Sequence, residues 1–170
     1  QGKPEPVLSY SRMKRFRDRL PGVIRPDIIP TDSGMVITEL DSVPGGMGLT
    51  GSLSQAYAEL GAATGDHVEL VGGGNGVVQG FGAMVRDLLG DRMGCLAIVV
   101  SEEAKDYRAE MIWMAAHLRA VGLPAYCVSP RDLRFTEEGL WIGGEAGDEL
   151  PVAVLYRFFE LFDLKNVPKS

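Results

Sequence analysis

Residues 23–46 read VIRPDIIPTDSGMVITELDSVPGG. Two runs rich in β-branched and apolar residues, 23–29 and 35–41, flank the turn signal Pro-Thr-Asp-Ser-Gly at 30–34, which predicts a β-hairpin. Strand side chains alternate faces with period two. Arg25 and Asp27 therefore share one face of the first strand, and Glu39 and Asp41 share one face of the second. A turn near Asp32 sets Arg25 roughly opposite Glu39, and in any even-sum register all four fall on the same face. Carboxylates that close repel, and each raises the cost of ionising the next. A divalent cation removes that cost; Mg²⁺ takes hard oxygen ligands, usually one or two carboxylates plus substrate phosphates. Arg25 is then placed to stabilise charge developing on a transferring phosphoryl group. Taken alone, such alternation more often describes the solvated outer face of a sheet. The loop after the second strand shifts that balance.

Outward from the hairpin, residues 9–20 (SYSRMKRFRDRL) predict a helix stopped by Pro21-Gly22. Residues 43–51 (VPGGMGLTG) form a glycine-rich loop, and 52–60 a short helix with Gly61 just past its end. The rhythm then changes. Residues 67–71 predict a strand, 72–76 a glycine cluster, 81–89 a helix, 95–100 a buried strand, 106–121 a helix, and 125–128 and 152–156 two further strands. Met111, Met114, Ala115 and Leu118 recur at helical spacing on one face. Strands alternating with helices indicate parallel βαβ units. Segments around Phe135 and at 140–142 suit a hairpin in the same layer. The boundary between the two parts is expected at 61–66.

The chain has 170 residues, 45% hydrophobic and 24% charged, the profile of a globular protein. Its net charge of −6 and pI of about 4.9 argue against sequence-independent nucleic-acid binding, which needs a basic surface. The short basic run Arg12, Lys14, Arg15, Arg17, Arg19 reads as a solvated helix face. Cys95 and Cys127 sit inside apolar runs and read as core residues rather than a disulfide framework. No apolar stretch is long enough to span a bilayer and no signal peptide is visible, so no membrane partner and a cytoplasmic location are expected. Because the chain begins at Gln1, and FFELFDLKNVPKS at its end looks like the start of another helix, a processed or truncated product is expected.

The run R-P-D, eleven residues, then E-L-D-S-V-P-G resembles the ATP-grasp superfamily, whose members carry R-x-D on one strand and E-x-N on the next, often followed by a Pro-Gly loop. The spacing is similar to that of the circularly permuted amine ligases of the glutathionylspermidine synthase type. There the metal-binding strands come early and a Rossmann-like pre-ATP-grasp domain follows. The resemblance implies an α/β fold: a hairpin–helix segment of an ATP-grasp lobe over residues 1–65, then a Rossmann-like parallel-sheet domain over 66–170. It implies an ATP-dependent carboxylate–amine ligase acting through an acyl phosphate, with Mg²⁺ and ATP as cofactors and a small-molecule carboxylate and amine as substrates. Asp27, Glu39 and Asp41 stand at its metal-ligand positions and Arg25 at the catalytic, phosphate-stabilising one. Asp41 replaces the usual Asn, which keeps an oxygen ligand and adds a negative charge. Gly45, Gly46, Gly48, Thr50 and Ser52 fall in the region that lies near the acceptor substrate in those ligases. The C-terminal lobe, whose lysines hold the phosphates, has no counterpart in these 170 residues, so the chain alone is expected to be inactive.

The rival reading is a Rossmann-type dinucleotide- or small-ligand-binding module. It rests on residues 72–76 (GGGNG), between an expected strand and a helix, a weak match to a dinucleotide fingerprint and more simply a structural turn. His67 and His117 lack metal-ligand spacing. Arg157 directly follows the apolar run VAVLY, where parallel sheets place functional groups, although a cap or salt bridge suits it as well.

Overall fold

The structure, a computed structural model, describes residues 5–41, 43–65, 69–144 and 147–159. It divides into two compact units, Gln1–Ser42 and Val43–Ser170.

The first unit contains helix α1 (Glu5–Ser11), a 3₁₀ turn at Lys14–Phe16, and the antiparallel pair β1 (Arg25–Thr31) and β2 (Gly34–Asp41). The helix expected over 9–20 stops at Ser11. Continuing it would stack Arg12 on Arg15 and Arg15 on Arg19 along one helix face, and like charges at those spacings destabilise a helix. Tyr10 and Phe16 instead pack ring to ring at 5.2 Å, with the Arg15 guanidinium over both.

The second unit is a mixed α/β layer. Its strands are β3 (Cys95–Val100), β4 (Ala125–Val128), β5 (Leu133–Thr136), β6 (Gly139–Gly143) and β7 (Glu149–Phe158), in the order β4-β3-β7-β6-β5. β3 runs parallel to β4 and to β7, whereas β6 runs antiparallel to both its neighbours, β5 and β7. The sheet is therefore mixed: β4, β3 and β7 form the parallel part, and the hairpin expected around Phe135 and 140–142 is β5–β6, in the same sheet. The cause is β7: residues 149–151 pair with β6, and from Val152 onward it pairs with β3. One ten-residue strand thus joins the parallel core to the hairpin.

Helices α2 (Met47–Thr64), α3 (Gly76–Leu89) and α4 (Arg108–Ala120) complete the unit. Met111, Met114, Ala115 and Leu118 are the buried face of α4, in agreement with their spacing. α2 starts five residues before the expected 52 and runs through Gly61 to a cap at Gly65, whose left-handed φ of 73° closes its amide on the Gly61 carbonyl. It packs on α4 because its first turns present glycine: a Cβ on Gly48 would lie 2.3 Å from the Glu110 carbonyl oxygen, and one on Gly51 2.6 Å from the Trp113 ring. α2 was expected to group with the hairpin; this packing places it in the second unit, so the compact units divide between 42 and 43 and not at 65. No helix among the described residues is long and apolar enough to cross a membrane.

All six residues of β3 are buried. Burial pushes the Cys95 thiol from an ordinary 9.0 up to about 11, and it raises Cys127 as well, with nearby Arg108 pulling the other way. A raised thiol pKa stabilises the fold below the unfolded value and ceases to do so as pH climbs through the folded one. Stability should therefore fall by about 2–3 kcal/mol between pH 9 and 11 from Cys95. Urea titrations of the parent and of Cys95→Ala across that range should show a shallower fall in the variant; equal slopes would refute the assignment.

Candidate functional site

The hairpin is closed by the two-residue turn Asp32-Ser33, with Thr31 paired to Gly34 and the Thr31 hydroxyl donating to the Gly34 carbonyl at 2.7 Å. Gly34, at φ 122°, supplies the backbone that a side-chain-bearing residue resists there. From the turn the ladder pairs Ile29 with Val36 and Ile28 with Ile37. Continued unchanged, it would oppose Asp27 to Thr38 and Arg25 to Leu40, sending Glu39 and Asp41 to the far face. A β-bulge prevents this. Thr38 is left over between Ile37 and Glu39, its hydroxyl donates to the Asp27 carbonyl at 3.1 Å, and the ladder resumes with Asp27 opposite Glu39 and Arg25 opposite Asp41. The expected partner of Arg25, Glu39, is corrected to Asp41: a two-residue turn plus one bulged residue shifts the register. The even-sum condition survives, and the four charged groups share one face.

On that face Arg25 Nε lies 3.1 Å from Asp27 Oδ1 and Arg25 Nη2 lies 3.7 Å from Asp41 Oδ2, all roughly half-exposed. The guanidinium is the cation that joins two strands' carboxylates here. Asp27, Glu39 and Asp41 are hard oxygen donors of the kind Mg²⁺ takes. Among the described residues, however, no three of His, Cys, Asp and Glu stand together as a group able to hold a metal ion. The donor set fits such an ion in kind, and Arg25 occupies the position between two of its members.

The glycine-rich loop has a different occupant. Gly46, at φ 80°, starts α2, and its amide donates to Glu110 Oε1 at 2.8 Å, while the Leu49 amide donates to Glu110 Oε2 at 3.3 Å. The Gly46 and Leu49 N–H groups are thus satisfied by a carboxylate from the first turn of α4, which also suits the positive end of the helix dipole. Gly45 lies against Tyr107, where a Cβ would approach the ring to 2.5 Å. Gly45, Gly48 and Gly51 act as close-packing residues. Thr50 is exposed, and the Ser52 hydroxyl donates back to the Leu49 carbonyl at 2.9 Å inside the helix. Glu110 escaped sequence reading because only the tertiary approach of α4 to α2 gives it a role.

The second glycine cluster follows no described strand. Of the expected strand 67–71, residues 67 and 68 lie outside the described residues and 69–71 are irregular. Gly72 and Gly73 turn the chain at φ 78° and 69°. A Cβ on Gly74 would meet the Ala58 methyl at 3.0 Å, and Asn75 Oδ1 accepts from Gln55 Nε2 at 3.0 Å. The cluster closes on α2. His117 stacks on Trp113 with ring centres 3.7 Å apart, and its Nδ1 lies 2.9 Å from the Trp113 carbonyl oxygen.

No protein-family model, curated protein or solved structure matches this chain.

Removing the Glu110 carboxylate leaves two α2 amides without their acceptor, a loss of about 1–2 kcal/mol. Glu110→Ala should lower the urea midpoint accordingly, with hydrogen exchange accelerated at the Gly46 and Leu49 amides first. Unchanged exchange at both would show that the carboxylate does not hold the helix start.

Proposed function

We propose that the hairpin supplies the metal–nucleotide wall of an ATP-dependent carboxylate–amine ligase of ATP-grasp type, completed by a lobe outside these residues. The observation that carries the reading is the bulge at Thr38. It puts Arg25, Asp27, Glu39 and Asp41 on one face when the tight turn would otherwise separate them. The R-P-D and E-L-D-S-V-P-G motifs supply the resemblance.

In this reading Asp27, Glu39 and Asp41 hold Mg²⁺, which when bound neutralises the charge of the nucleotide's terminal phosphates. Arg25 does the rest of the electrostatic work. Its guanidinium, which lies against Asp27 and Asp41, would stabilise the oxygens of the transferring phosphoryl group once those carboxylates held a cation of their own. A substrate carboxylate oxygen would attack the terminal phosphorus of ATP, the bond to ADP breaking as the acyl phosphate forms, and the amine would then displace phosphate and lose a proton to give the amide. Asp41, in place of the usual amide, raises the negative charge of the donor set and favours a divalent cation over the guanidinium.

Mn²⁺, which takes the same oxygen ligands and relaxes nearby nuclei, tests this directly. Titrated into ¹⁵N-labelled protein, it should broaden the amides of residues 25–27 and 39–41 first, with reversal by excess Mg²⁺. Asp27→Asn combined with Glu39→Gln should abolish the local effect, and Arg25→Ala should tighten binding several-fold by removing the competing cation. Even broadening of all surface carboxylates, or full binding by the double variant, would refute the reading.

A further inference from the structure

We propose that Arg157 anchors an oxyanion, a carboxylate or phosphate group of a small ligand, at the carboxyl end of the parallel strands. The proposal lies in the second unit and does not depend on the hairpin reading.

β7 delivers Arg157 directly opposite Val99, one residue short of the end of the central strand β3. β3 and β7 are parallel here, and their carboxyl ends form the edge at which open α/β sheets bind ligands. The side chain is on the same face as Cys95, Ala97 and Val99, a face packed by apolar groups that include Val128 and Phe159. Arg157 Nη1 is buried and has no hydrogen-bond partner, and no described carboxylate lies within ion-pair distance of the guanidinium. Phe159 packs beside it, ring centre 5.6 Å from the guanidinium carbon.

The neighbouring polar groups at this edge are engaged elsewhere. Arg108 Nη2 donates to the Val100 carbonyl at 2.8 Å, the buried Ser101 hydroxyl oxygen accepts from the Ala104 amide at 3.3 Å, and Lys105 pairs with Glu102 at 3.3 Å. Asp132, the nearest carboxylate in sequence to the end of β4, accepts from the Ser129 amide at 2.7 Å. Among the described residues Arg157 therefore keeps its charge without an acceptor.

A guanidinium cannot relieve this by losing its proton. A buried polar hydrogen without an acceptor calls for a water or an ion. Two features favour an ion of fixed shape. The guanidinium fork matches the paired oxygens of a carboxylate or phosphate, and the aromatic ring beside it holds the plane while leaving the N–H edge open to that partner.

The test is a titration of the ¹⁵N-labelled chain with inorganic phosphate and, in a second arm, with acetate, both at ionic strength held constant with KCl. The readout is the Arg157 Nε–H resonance, assigned by its disappearance in Arg157→Lys. A saturable shift in the phosphate arm alone assigns a phosphoryl ligand, in the acetate arm alone a carboxylate ligand, and in both the shared oxyanion chemistry. The shifts of neighbouring backbone amides should need at least tenfold more anion in Arg157→Gln. They should also weaken in Arg157→Lys, which keeps the charge and the aliphatic stem but loses the fork. Absence of a saturable shift with either anion would overturn the proposal. So would undiminished amide shifts in Arg157→Lys, which decides the matter if Arg157→Gln fails to fold.

Discussion

Strand β3 is buried along all six residues, and a strand with no solvent face has to be covered twice. Leu96, Ile98, Val99 and Val100 are fully enclosed, each side chain contributing about 1.5–3 kcal/mol of apolar transfer, an upper figure against a compact unfolded chain. The faces are closed by different means. Cys95, Ala97 and Val99 pack with Ile142 and Leu133 of the β5–β6 hairpin, and helices α3 and α4 serve the other side. The length of β7 follows from this. Its first residues must pair with β6 to bring the hairpin over one face, and its last must pair with β3 to extend the parallel core. A shorter strand could serve only one partner.

The layer beyond α4 rests on the absence of side chains. Gly48 and Gly51 let α2 approach α4 to backbone contact, and that closeness brings the first amides of α2 onto the first turn of α4. Glu110 then meets two of them with one carboxylate. A single tertiary contact thus packs two helices, caps one and fills the anion position that a glycine-rich loop before a helix would otherwise offer. In sequence the same glycines look like ligand chemistry. The two uses of glycine, open amides and close approach, have identical composition, and only the facing residue separates them.

What could be read in advance follows the range of the forces involved. Periodicity is local, so the buried stripe of α4, the apolar β3 and the two hairpin strands were legible. Like-charge crowding after Ser11 is local too, and it was underweighted against helical propensity. The β5–β6 hairpin was legible in the same way, but the joining of that hairpin to the parallel strands was not, because nothing in residues 149–158 marks where β7 changes partner. The start of α2 was missed because glycine is a poor helix former, and only contact with α4 offsets that cost. Of the candidate site, the four charged positions were legible from alternation and motif. The Arg25–Asp41 pairing was not, because Thr38 has the composition of an ordinary strand residue.

The hairpin shows why that bulge sits where it does. With the ladder reset at Thr38, Pro26, Ile28, Pro30, Met35, Ile37 and Leu40 fall on one face, opposite to Arg25, Asp27, Glu39 and Asp41, which share theirs with the Ile29–Val36 pair nearer the turn. Without the reset, Leu40 would join Arg25, and Glu39 would fall beside Pro26 among apolar side chains. A one-residue slip flips every side chain beyond it. The tight Asp32-Ser33 turn fixes one parity and the alternation beyond Thr38 demands the other, so one residue must be left over. The four charged residues share a face only in the bulged register, and the hydrogen bond from Thr38 to the Asp27 carbonyl holds the chain at the point where the parity changes. The segregation is bought on a ribbon that has no core: no residue of the first unit with described burial is buried, and Ile37 and Leu40 are 59% and 65% exposed. A two-stranded ribbon is marginal in water without a third strand or a helix on its apolar face. Near the turn the charged face also carries the apolar Ile29–Val36 pair, so the two faces separate only beyond the bulge. There the parity change at Thr38 decides the matter: it gathers Arg25, Asp27, Glu39 and Asp41 together and turns Leu40 away from them beside Pro26, which the register set by the turn alone would reverse.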